Sequence, residues 1–237
     1  MKISERANAA GERRQTILEE IKVMKSSAPV ASRNKKPQPA EHVFEVNGDA
    51  IRFATKLKVS LHSEKIIGFA ATTKSMDISD VGAQTGLALA RMELGGVLLI
   101  DANLRRPRLH EIFHLQDPPG LASVLEGKIA PFEAVCQTSE AGLNVLPAGI
   151  TSMNLASLLA STSFRFCLET VCPAYTFVIV QVPPMDELVE ASMVALITEG
   201  IVLVVESSVD TLSRLRALRK ELGSLGVNVL GALLHKG

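Results

Sequence analysis

Residues 97–113 read VLLIDANLRRPRLHEIF, and the order of residue types in that stretch sets the fold class. Val97 to Ile100 is apolar on both faces, as in a strand buried inside a parallel sheet. The strand ends on a carboxylate, Asp101, followed by an amide, Asn103. Arg105, Arg106 and Pro107 then form a turn, and guanidinium forks match phosphate oxygens well. A carboxylate at that position suits a phosphate-bound metal ion. The same residues also suit an ordinary strand-to-turn exit with solvated arginines, and the stretch alone does not separate the two.

Working outward, short apolar or β-branched runs recur on either side: KIIGFAA (65–71), GVLLID (96–101), LNVLPA (143–148), FVIVQV (177–182), IVLVVES (201–207) and VNVLGALL (227–234). Each reads as a strand. The stretches 79–93, 154–171, 186–197 and 210–223 read as helices. Such alternation predicts an α/β domain in three layers, a mostly parallel central sheet with right-handed crossovers and helices on both faces. Ligands of these folds bind beyond the carboxyl ends of the strands. The domain is expected to span 43–237. Ahead of it, Ile17, Leu18, Ile21 and Met24 predict an amphipathic helix over 1–25. The proline-, serine- and lysine-rich stretch 26–42 predicts a flexible linker.

The chain has 237 residues, with 25 basic and 25 acidic side chains, so its zero net charge gives no reason to expect nucleic acid. Cys136, Cys167 and Cys172 are odd in number and lack Cys-x-x-Cys spacing, which fits reduced thiols rather than a disulfide framework or a zinc ribbon. With no apolar run of membrane-spanning length and no signal-peptide core at the start, the expected location is the cytoplasm. His110-Glu111-Ile112-Phe113-His114 fits the H-E-x-x-H zinc pattern. However, Pro118-Pro119 stops a helix there and the extended signature is absent. No metal site is expected.

Taken together, LLIDANLRRPRLHEIF, GLASVLEG (120–127), LNVLPAG (143–149), NLASLLAS (154–161), YTFVIVQVPP (175–184) and VNVLGALLH (227–235) resemble, in order and spacing, the P-loop tyrosine kinases of bacterial capsule and exopolysaccharide synthesis. These form a branch of the MinD/ParA-like ATPases. The resemblance runs from about residue 45 to 237 and implies a three-layer P-loop NTPase-like fold.

The catalytic residues of that family do not carry over. The strand KIIGFAA should lead into a loop of glycines, a lysine and a hydroxyl that wraps phosphates. Laid on that pattern, Ser75, Asp77, Ile78 and Ser79 fall at the two glycines, the lysine and the hydroxyl. Asp77 and Asp80 stand where the following helix begins, so that its positive end is expected to be capped by the chain's own carboxylates. A carboxylate about 4 Å from a phosphate charge costs on the order of 4 kcal/mol at an effective dielectric near 20. Gln181 replaces the aspartate that the family carries before Pro183-Pro184, and Asn103 replaces a second aspartate of the 97–113 motif. Asp101 is the acidic survivor. Lys74 lies within one position of an accessory lysine of the wider ATPase group, but without glycines beside it the backbone cannot wrap a phosphate.

The expected nucleotide site is therefore vestigial, made of Lys74, Ser75, Asp77, Ile78, Ser79, Asp80, Asp101, Asn103, Arg105, Arg106 and Gln181, with no catalytic residue and no cofactor. ATP and Mg²⁺ belong to the rival reading, an active kinase or ATPase with Lys74, Arg105 or Arg106 as substitute cations. Asp49 and Arg52 match part of the family's Glu-x-x-Arg-x-x-Arg oligomerisation helix. The single tyrosine, Tyr175, precedes a buried strand and reads as a packing residue. What the resemblance implies is a regulatory or scaffold partner in exopolysaccharide synthesis or export. It would meet the cytoplasmic segment of a membrane polysaccharide co-polymerase or an active kinase homologue, recruited to the inner face of the membrane, with self-association through Asp49 and Arg52. A third reading is a MinD/ParA-like positioning scaffold.

Overall fold

The computed structural model describes residues 46, 48–60, 65–92, 95–116, 118–206 and 212–235. The expected N-terminal helix and linker, residues 1–42, lie outside the described residues. Helix α1 (Gly48–Ser60) precedes β1 (Ile66–Ala71), and a loop leads to α2 (Ser79–Arg91). β2 (Val97–Asp101) is followed by two short helices, α3 (Leu109–Ile112) and α4 (Leu121–Leu125), then by β3 (Cys136–Gln137) and β4 (Leu143–Leu146). Helices α5 (Leu155–Leu159) and α6 (Thr162–Val171) lead to β5 (Phe177–Val182). α7 (Leu188–Ala195), β6 (Gly200–Glu206), α8 (Leu212–Ser224) and β7 (Val229–His235) complete the described chain.

The strands form one sheet in the order β3-β4-β2-β5-β1-β6-β7, parallel throughout except for β3. The expected three-layer α/β architecture is observed. Its physical basis is visible in the alternation of β2 and β5. Leu98, Ile100, Val178 and Val180 enter one apolar cluster with Phe164, Leu168 and Val194. Val97, Leu99 and Ile179 enter the other with Leu87, Leu57 and Phe69. A strand buried on both faces needs apolar residues at every position, which is why these runs show no polar alternation. Phe53 of α1 meets Phe69 edge to face, ring centroids 5.7 Å apart, so this helix is packed onto the same face.

Three segments differ from the sequence expectation. The helix expected over 154–171 is broken at Ser161, whose backbone is extended (φ −71°, ψ 151°) and whose hydroxyl donates to the Leu158 carbonyl at 2.6 Å. That local bond competes with continuation of the helix. α7 is shorter than 186–197 because a turn, Glu187 N–H to the Pro184 carbonyl at 2.8 Å, occupies its approach. The two-residue β3, antiparallel to β4, is too short for any periodicity. Cys167 and Cys172 are buried, and burial pushes both thiols up to about 12, so they pack as small apolar groups. Among the described residues no helix is long and apolar enough to cross a membrane.

Candidate functional site

The carboxyl ends of β1, β2 and β5 lie side by side, with Ala70 level with Val182 and Asp101 level with Gln181. Above them opens a cavity of about 400 Å³ lined by residues 71 and 74–79 of the loop into α2, by Asn103, Arg106 and Arg108, and by Gln181, Val182 and Pro184. This is where a fold of this class places its ligand.

The loop after β1 contains no glycine from Thr72 to Ile78, and several of its amides donate to groups of the protein. Lys74 N–H donates to Asp186 Oδ2 at 2.9 Å, Met76 N–H to the Thr73 carbonyl at 3.3 Å, and Ser79 N–H to Asp77 Oδ1 at 2.9 Å. Thr73 and Ser75 hydroxyls pair at 2.9 Å. Asp77 thus supplies the expected carboxylate to the first turn of α2, while Asp80 is exposed on that turn. Asp186 is held in turn by Arg214, 3.4 Å away, whose guanidinium also reaches the Thr72 carbonyl at 3.4 Å. An anion entering here meets side-chain cations.

Those cations come from the turn after β2. Arg106 Nη1 donates to the Lys74 carbonyl at 2.6 Å, tying the turn to the loop across the cavity. Arg108 lies 3.4 Å from Asp77 and 3.0 Å from Glu111, so each of its neighbours offsets part of its charge. Arg105 points elsewhere: it pairs with Glu190 at 2.7 Å and Glu187 at 3.3 Å, joining the turn to α7. The sequence grouped Arg105 with Arg106 and missed Arg108; only the turn geometry separates adjacent guanidiniums.

Asp101 is 2% exposed and lies beneath the cavity. One carboxylate oxygen accepts Asn103 N–H at 3.2 Å; the other accepts Arg108 N–H at 2.9 Å and Leu109 N–H at 3.1 Å. Burial pushes its pKa up from 3.8 to about 6, against the lowering effect of the three backbone donors and of His110. Its neighbour Gln181 is 3% exposed and directs its amide at the Ser79 carbonyl, 3.4 Å away. Gly82, in the first turn of α2, packs so closely on that amide that a Cβ there would overlap it. Gln181 therefore sits as a bolt between β5 and α2.

Of the residues singled out from the sequence, Lys74, Ser75, Asp77, Ile78, Ser79, Asn103, Arg106 and Gln181 line the cavity; Asp80, Asp101 and Arg105 do not. Asp186 and Arg214 were not legible as site residues, because each acts on the loop from a distant part of the chain, and Gly82 was not, because its role depends on the Gln181 side chain that it packs against. Asp49 and Arg52 form an exposed pair at 3.7 Å on α1. Tyr175 is buried, its hydroxyl accepting from Asn144 Nδ2 at 2.9 Å. His114 lies past the end of α3 with φ 51°, so His110 and His114 are not one helical turn apart.

No family profile matches the chain. It is 34% identical over 139 residues to the tyrosine-protein kinase YwqD of Bacillus subtilis, a match covering 59% of this chain and 59% of that protein. The chain thus spans about three-fifths of the length of this relative. Among solved structures, the kinase domain of the Escherichia coli tyrosine kinase ETK superposes with a TM-score of 0.76 at 25% identity, covering 87% of this chain and 83% of that one. The septum site-determining protein MinD from Pyrococcus horikoshii, solved with Mg-ADP, superposes with a TM-score of 0.59 at 21% identity, covering 72% and 69%. That likeness speaks to the fold, which is the P-loop NTPase-like three-layer sandwich.

Proposed function

We propose that this chain, a homologue of bacterial tyrosine-protein kinases, is a non-catalytic member of that group which serves as a regulatory or scaffold partner in exopolysaccharide or capsule synthesis. The observation that carries the reading is the glycine-free loop after β1, part of which is bonded within the protein. The amides of Lys74, Met76 and Ser79 donate to Asp186, Thr73 and Asp77, and no glycine lets the loop wrap a phosphate closely. Asp101, which would sit near a metal, is engaged by three backbone N–H groups, and Gln181 stands beside it without a charge. A neutral amide is a poor Mg²⁺ ligand next to a carboxylate. The one tyrosine is buried, so self-phosphorylation lacks an accessible acceptor among the described residues. In this reading the partner is the cytoplasmic segment of a membrane polysaccharide co-polymerase or an active kinase homologue, and the membrane association follows from that partner.

A second reading draws on the cavity itself: about 400 Å³ faced by Lys74, Arg106 and Arg108 is room for a nucleotide phosphate, with ATP and Mg²⁺ as cofactors of a rewired kinase or ATPase. Calorimetric titration with ATP and magnesium separates the two. The expected result is no heat of binding at millimolar nucleotide. Magnesium-dependent ATP hydrolysis or tyrosine phosphorylation, lost in Arg106→Ala, overturns the proposal. Arg106 is the appropriate control because Asp101 also holds the fold.

A further inference from the structure

α8 carries a segregated charge pattern that neither the cavity nor the kinase resemblance uses. At about 100° per residue, Leu215, Leu218 and Leu222 share the face that packs into the core below. On one flank, Leu212, Arg216, Arg219, Lys220 and Gly223 follow one another in a single stripe, about 16 Å long at 1.5 Å per residue. All five are exposed, Leu212 at 72%, and nothing lies within 4 Å of where a Gly223 Cβ would stand. The acid of the helix, Glu221, falls on the other flank, as does Arg214, which is tied to Asp186.

Two observations orient the stripe. Arg214 faces the loop before α7, so the opposite flank faces outward, past the β7 edge of the sheet. On that edge Leu234, level with Val205 and on the same sheet face as α8, is 55% exposed. Among the described residues, no ion pair or hydrogen bond engages the heads of Arg216, Arg219 or Lys220. In a chain of zero net charge, this is a local basic surface flanked by protruding leucines.

We infer that this flank of α8 is a docking surface for an anionic lipid bilayer. The stripe is an exposed helix flank whose positive charge complements anionic headgroups, and the cavity described above takes no residue from α8. Long basic side chains around an exposed leucine match the headgroup and acyl layers of a membrane surface. Three cations give weak, reversible attachment, a second contact beside whatever partner holds the protein at a membrane. The inference stands whether or not the cavity binds nucleotide.

The test is sedimentation of the full chain with vesicles of pure phosphatidylcholine and of phosphatidylcholine mixed with phosphatidylglycerol, at low and high salt. Binding is expected to the phosphatidylglycerol vesicles alone, and to be lost at high salt. The variant carrying Arg216→Gln, Arg219→Gln and Lys220→Gln should partition on the order of 100-fold more weakly, and each single substitution about fivefold more weakly. The single variants carry the test if the triple variant melts early. Leu212→Ser should weaken binding without changing its salt dependence. Absence of binding to phosphatidylglycerol vesicles overturns the inference, as does binding that persists unchanged in the substituted proteins. Retention on duplex DNA through the same residues, without vesicle binding, also overturns it.

Discussion

At the scale of single residues, Asp101 shows how one side chain can look catalytic and act as a brace. Its carboxylate closes the turn from β2 to α3 by accepting three N–H groups, and burial raises its pKa to about 6. Because the folded pKa lies above the ordinary 3.8, the folded protein holds the proton more tightly than the unfolded chain. The stabilisation from this group is therefore complete below about pH 4 and is lost as pH rises through about 6, a swing of about 3 kcal/mol. Asp101→Ala should destabilise the protein, since it leaves buried donors without an acceptor at about 1–3 kcal/mol. The stability gap between wild type and variant should be larger at pH 4.5 than at pH 7 in urea unfolding curves. A gap that widens with rising pH would show that the ionised form is the stabilising one. The sequence placed Asp101 at the strand end correctly, but burial and partners, which decide its role, depend on residues 103, 108 and 109 curling back over it.

Between elements, the contact of α2 with β5 leaves no spare room at Gly82. Gly82 lies against the Gln181 amide with no room for a methyl group, so the helix can approach the strand only with glycine there. Gly82→Ala is expected to cost about 1–3 kcal/mol through overpacking. Shortening the opposing residue, in the double variant Gly82→Ala with Gln181→Ala, should recover part of that loss, and a double-mutant cycle of thermal unfolding measures the coupling. Additive effects would mean that the two residues do not press on each other. A comparable close approach explains two motifs that were only a family likeness in the sequence. Gly120 of GLASVLEG abuts Gly149 of LNVLPAG, with Leu121 N–H donating to the Pro147 carbonyl at 2.7 Å and Ala122 N–H to the Ala148 carbonyl at 2.8 Å. The glycines let α4 dock on the end of β4.

For the whole molecule, the two apolar clusters on opposite faces of the sheet are closed by residues between Val46 and Leu233. A fragment from Phe44 to Gly237 is accordingly expected to unfold cooperatively, with a urea midpoint close to that of the full chain. A clearly lower midpoint would show that residues 1–43 contribute to the stability of the domain. The sequence by itself determined the α/β class, the parallel character of the sheet and the positions of every strand but β3, because runs apolar on both faces alternate with amphipathic helices, and burial on two faces leaves a local pattern. It also determined that the loop after β1 carries no glycine from Thr72 to Ile78. What only the tertiary structure decided is which groups meet around that loop. Asp186 and Arg214 reach the loop from 112 and 142 residues away, Arg105 and Arg106 diverge, and Asp101 turns inward. Such contacts are set by the crossovers that bring strand ends together, and they leave no periodicity in the chain.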